Sequence, residues 1–170
     1  MRQIKINSTI GGEIITAQDV KDYVRIDTNA DDALIVRMIT EARIWCENFI
    51  SRDIVAKNRT YYLPTTNGMF DLPFAPIASV ESVTIEGATA QYTEYGLDDL
   101  SIELDGGPAD NVKVTYTTTG LDDGLIKQAL LQLVSTYYDN RAEFSVSTGK
   151  VNEIPTDVKS ILAGYKTMFI

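Results

Sequence analysis

Histidine is absent from the 170 residues, and cysteine and tryptophan each occur once. Without histidine the chain lacks the usual general base near neutral pH, the Ser-His and Cys-His nucleophile pairs and the commonest zinc ligand. A single cysteine excludes an intrachain disulfide, and its helical position points to a buried, inert thiol. Basic residues are also scarce: 15 Lys and Arg stand against 24 Asp and Glu, a formal net charge of −9 with a pI near 4.4. The bases are dispersed with no basic run, so tight binding of nucleic acid through phosphate neutralisation is not expected. No apolar run approaches the ~20 residues of a membrane span, and Met1–Gly12 lacks the apolar core of a secretory leader. The expectation is a soluble protein suited to a reducing cytoplasm, with no membrane partner. Phosphate-binding loops are missing too: Gly149-Lys150 is followed by Val151, and Gly106-Gly107-Pro108 fits neither a Walker loop nor a dinucleotide fingerprint.

What is present is an ordinary globular composition, 44% hydrophobic and 23% charged, enough for a core without disulfides or metal. The organising stretch is Asp31–Ile50. As a helix it aligns Ile35, Met38, Ala42, Trp45 and Phe49 at spacings of three and four, widened by Leu34, Ile39, Cys46 and Ile50. Arg37, Thr40, Glu41, Glu47 and Asn48 fall on the opposite side, with Arg37 one turn from Glu41. Asp31 and Asp32 meet the positive end of the helix dipole.

Before it, Met1–Glu13 reads as an arm or a short edge strand. Thr16 with Asp19 forms a capping box for a short helix ending near Arg25, flanked by the staple pair Ile15 and Val20. After Asp53 the period changes from helical to alternating. Strands are predicted at Lys57–Leu63, Met69–Leu72, Val80–Glu86 (with a shift of face at Glu81-Ser82), Gln91–Tyr95, Ser101–Leu104 and Asn111–Thr118. Asn67-Gly68 is a two-residue turn signal. Asp122 or Asp123 caps a third helix whose apolar face carries Leu130, Leu133 and Tyr137, and Pro155 suits the first turn of a fourth. Arg141–Glu153 reads as a long polar loop. The fold class is therefore α+β in a single domain, 1–170. A helical part (15–53 and 122–167) holds four helices, and a β insertion (57–119) holds about five short antiparallel strands. Ile35, Met38, Trp45, Phe49, Leu130, Leu133 and Tyr137 are the expected core.

Three acidic pairs, Asp31-Asp32, Asp98-Asp99 and Asp122-Asp123, have the residue types of metal ligands or an acid/base pair. Two of them sit at helix starts and one in a turn, which accounts for them fully, and no oxygen-ligand loop spacing is present. The nine tyrosines suggest a stacking platform, but most fall on apolar faces, where packing explains them. No cofactor and no catalytic residue is read from the chain. Two minority readings remain: a ligand- or receptor-binding module presenting Tyr92, Tyr95 and the Asp98-Asp99 loop, and a hydrolase built on a carboxylate pair.

Several phrases, in order, resemble the tailed-bacteriophage head–tail connector (adaptor, or head-completion) proteins, in their longer form with an inserted β region. They are ITAQDVKDYVRID (Ile15–Asp27), DDALI and EARIWCENFISR (Glu41–Arg52) of the long helix, LPFAPIASVESVTI (Leu72–Ile85), VKVTYTTTGL (Val112–Leu121) and IKQALLQLVSTYYDNRAE (Ile126–Glu143). The likeness runs from about Ile15 to Tyr165. Asp122-Asp123-Gly124 departs from it where a proline is expected, and Phe144–Glu153 and the first twelve residues lie outside it. The resemblance implies a non-enzymatic virion protein, assembled in the host cytoplasm and resident at the head–tail junction. Such a subunit forms a ring with itself, commonly of twelve copies, docks on the portal protein and receives the next neck or tail protein. DNA then passes through without sequence-specific binding. Candidate docking residues are Arg141, Glu143, Phe144 and Lys150 of the polar loop, and Met168, Phe169 and Ile170 at the apolar end of the chain.

Overall fold

The computed structural model describes residues 1–140 and 155–166. These form two compact units, a β unit of residues 1–12 and 55–121 and a helical unit drawn from 13–54 and from 122 onward. Each is taken by itself.

In the β unit, β1 (Gln3–Thr9), β2 (Lys57–Thr66), β4 (Ile77–Ile85), β5 (Ala88–Thr89) and β8 (Ala109–Thr118) form an antiparallel sheet in the order β1-β2-β8-β4-β5. A second sheet has the order β3-β7-β6, from β3 (Met69–Asp71), β6 (Tyr92–Gly96) and β7 (Leu100–Leu104). Period-2 alternation explains the packing. Tyr61 and Leu63 of β2 and Val112, Val114 and Tyr116 of β8 point inward and share one apolar cluster with Phe70, Leu72, Ile102 and Leu104. The buried Tyr116 hydroxyl is satisfied by donating to the Pro73 carbonyl at 2.7 Å. The intervening residues point outward as a polar ladder, in which Thr60 meets Thr115 and the Tyr62 hydroxyl donates to Asn111.

The α+β class stands as expected, with seven strands in the β insertion instead of about five. β3 falls where Met69–Leu72 was expected, whereas β5 holds two residues, too few to leave an alternation in the sequence. Met1–Glu13 proves to contain an edge strand, paired antiparallel with β2. The turn at Asn67-Gly68 does not fold β3 back on β2; it carries the chain into the second sheet, where Met69 pairs with Glu103. Gly68 has φ +102°, and a Cβ there would meet the Gly107 carbonyl carbon at 2.8 Å, so the corner requires glycine. The shift of face within β4 is a bulge between Val80 and Ser82. It turns Glu81 outward to accept from Thr117 and Asn58, and those bonds hold its carboxyl below the ordinary range.

The helical unit comprises α1 (Ala17–Val24), α2 (Asp32–Ile50), α3 (Gly124–Asp139) and α4 (Thr156–Ala163), and helices from the two ends of the chain pack on one another. Thr16 and Asp19 form a complete capping box on α1. The Thr16 backbone N–H, then its hydroxyl, lowers the Asp19 pKa. Asp123 caps α3 by accepting from the Leu125 N–H. On α2 the buried stripe is Ile35, Met38, Ile39, Ala42, Cys46 and Ile50, whereas Trp45 and Phe49 are half-buried and stack at 5.2 Å. Leu130 and Leu133 of α3 are fully buried, and Tyr137 is half-buried.

Glu47 does not lie on the solvent side of α2. It is 5% exposed, takes a 2.9 Å ion pair from the equally buried Arg43 and accepts from the Ile54 N–H. Arg43 also bonds Glu13 at 2.8 Å. Helical periodicity places charge in water by default, but a charge whose partners are buried with it can turn inward.

Candidate interaction surfaces

The residue types that suggested chemistry turn out to have structural duties. Asp31 accepts from the Tyr138 hydroxyl, and Asp32 pairs with Lys21 at 3.0 Å. Asp122 pairs with Lys127, Asp123 caps α3 and accepts from the Tyr165 hydroxyl, and the Asp98 carbonyl accepts from the Ile77 N–H. Among the described residues no group of three or more His, Cys, Asp or Glu side chains is arranged to hold a metal ion. Cys46 is fully buried, and burial, with a smaller contribution from neighbouring Glu47, pushes its thiol up to about 12. That is the setting of a packed side chain, not of a nucleophile.

Tyr92 and Tyr95 of β6 are three residues apart on a strand and so face opposite ways. Tyr92 packs against the β-unit core, while Tyr95 is 47% exposed with its hydroxyl bonded to Glu103. They therefore do not make a joint aromatic platform for a ligand. A concavity of the β unit, about 830 Å³, lies on the polar outer face between β1, β2 and β8 and is lined by Lys5, Asn7, Tyr62, Asn111 and Lys113 among others. Its polar groups bond largely to one another, as Asn7 does to Asn58 and Thr60 and Tyr62 does to Asn111. It is shallow and open, and no reactive group points into it.

What the β unit does offer is exposed edge. Every residue of β1 is exposed, Ile4 and Ile6 among them, as is Ile10 just after it, and among the described residues its outer side pairs with no other strand of the sheet. In the second sheet β6 is one of the two edge strands and leads into Leu97, which is 91% exposed. The hairpin of β6 and β7 is acidic, carrying Glu94, Asp98, Asp99, Glu103 and Asp105. On the helical unit, Val36 and Ile44 of α2 are about half exposed and lie two turns apart on one face. The sequence offered Tyr92, Tyr95 and the Asp98-Asp99 loop as a ligand surface and Met1–Glu13 as an arm or edge strand, but not that both border an open sheet edge. The alternation of β1 was visible, but its neighbours were not.

The expected docking residues Arg141, Glu143, Phe144, Lys150, Met168, Phe169 and Ile170 lie outside the described residues.

No curated protein matches the chain. Three similar solved structures come from gene transfer agent (GTA) particles. One is a chain in the neck of an empty particle computed with C6 symmetry (TM-score 0.75, 18% identity). The others are a chain in the virion of a native particle (0.72, 18%) and one in the neck of a native particle computed with C12 symmetry (0.73, 15%). Each alignment covers 99% of this chain and 97% of the other. At such identities the likeness establishes the fold alone. The model of the head completion proteins matches residues 13–168, and the chain belongs to that family of structural proteins of the head–tail neck.

Proposed function

We propose that this head completion protein is a ring-forming adaptor of the virion, assembled in the host cytoplasm from about twelve copies. The ring docks on the portal at the base of the DNA-filled head and receives the next neck or tail-completion protein. The observation that carries the reading is the family match over residues 13–168. The fold shared with neck chains of particles computed with C6 and C12 symmetry supports it. A ring needs surfaces that match a neighbour, not a pocket, and the described residues offer exposed sheet edges.

The portal contact is assigned to Arg141, Glu143, Phe144 and Lys150 and to Met168, Phe169 and Ile170, on the grounds given by the sequence. The formal charge of −9 suits a lumen through which DNA slides without adhering. The test is to add the purified chain to portal rings of the same phage and image the product by negative stain. An added annulus on the tail-facing side, lost when 141–153 or the last five residues are deleted, is the expected result. No added mass on a portal shown to be competent would overturn the docking assignment.

A further inference from the structure

Of the four edge strands of the β unit, β1 and β5 in one sheet and β3 and β6 in the other, β1 and β6 are complementary. Residues 1–12, which contain β1, carry Arg2 and Lys5 and no acidic residue. Residues 91–110, which contain β6 and β7, carry Glu94, Asp98, Asp99, Glu103, Asp105 and Asp110 and no basic residue. Both edges also hold apolar side chains in water, Ile4, Ile6 and Ile10 on one and Tyr95 and Leu97 on or beside the other. We propose that β1 of one copy docks on the free β6 edge of a second copy of this chain, edge to edge. The two sheets of neighbouring subunits are thereby joined by main-chain hydrogen bonds flanked by Lys5–Glu94-type pairs. This rests on the ring reading above and specifies the subunit contact within it.

Three physical points favour this occupant. A long, fully exposed edge strand is a template for pairing, and proteins usually blunt it. Lys5 and the irregularity between Ile6 and Ser8 are such devices here. They discriminate instead of merely repelling: β1 against β1 would bring Lys5 toward like charge, and β6 against β6 would bring Glu94 toward its own kind. Among pairings of these two edges, the mixed pair alone is compensated on both sides. The contact is also heterologous, one patch meeting a different patch, which is the geometry that generates a ring when the rotation closes.

The experiment uses cysteine pairs in the full chain assembled on portal rings, relying on Cys46 being buried and unreactive. The variant carrying both Ile6→Cys and Thr93→Cys is treated with a short thiol-reactive cross-linker, which tolerates a shift in register. A ladder of multimers, absent from both single variants, is the expected result. Lys5→Glu abolishes the ladder, and combining it with Glu94→Lys restores it. Dimers from Ile6→Cys alone would overturn the proposal in favour of an edge pairing with itself. Rings visible by imaging but giving no ladder would overturn the edge pairing and leave the ring reading intact. If imaging of the unsubstituted chain shows no ring, the ring reading fails and the edge pairing with it.

Discussion

At the residue scale, the informative side chains are those whose surroundings contradict their type. Cys46 is the one thiol and sits at zero exposure on α2. Burial disfavours its thiolate, so it stays protonated well past the ordinary value of 9.0 and titrates only near about 12. The native protein should therefore resist iodoacetamide at pH 8, whereas the unfolded chain is labelled at once; mass spectrometry after a timed pulse reads the difference. The sign for stability follows. Above pH 9 the unfolded chain sheds the proton that the folded one keeps, so this residue's contribution to stability is full below pH 9 and falls as pH rises toward 12. The Arg43–Glu47 pair is the opposite case, charges where the helical period predicts water. The sequence shows charges four residues apart, but it does not show that Glu13 and the Ile54 N–H close the network around them.

At the scale of elements, local chemistry was legible wherever a few neighbouring residues decide it. The capping box at Thr16 and Asp19, the Asp123 cap and the bulge in β4 all depend on contacts within a short stretch or on a break in alternation. Partners were not legible. Asn67-Gly68 has the composition of a hairpin turn, yet its second strand pairs with β7, more than thirty residues on. The β6–β7 hairpin offers a direct test of how tightly such an element is set. Gly96 has φ +111°, and a Cβ there would run into the Asp99 carbonyl oxygen. Gly96→Ala should cost about 1–3 kcal/mol, read as a lowered denaturation midpoint. Gly87→Ala, also at positive φ (+90°) but with open space around it, should cost less.

At the scale of the whole molecule, charge is the property that sequence alone states. A chain with formal charge −9 and no basic run should give no mobility shift with duplex DNA at physiological salt. A salt-dependent shift in a native gel would mean that its few cations converge on one face. The helical unit gathers residues from both ends of the chain around the fully buried Leu130 and Leu133. That assembly followed from the order of periodicities, helical, then alternating, then helical.

By itself the sequence determined the class of the fold, the caps and bends, and the acidity. Each depends on composition or on residues close together along the chain. Only the tertiary structure decided which strands share a sheet, that Glu47 goes inside, and that a basic edge and an acidic edge are both left open on one β unit. Strand pairing here can join residues more than fifty positions apart, as Tyr61 joins Val114. An edge is defined by the neighbour a strand lacks, which nothing in its own residues records.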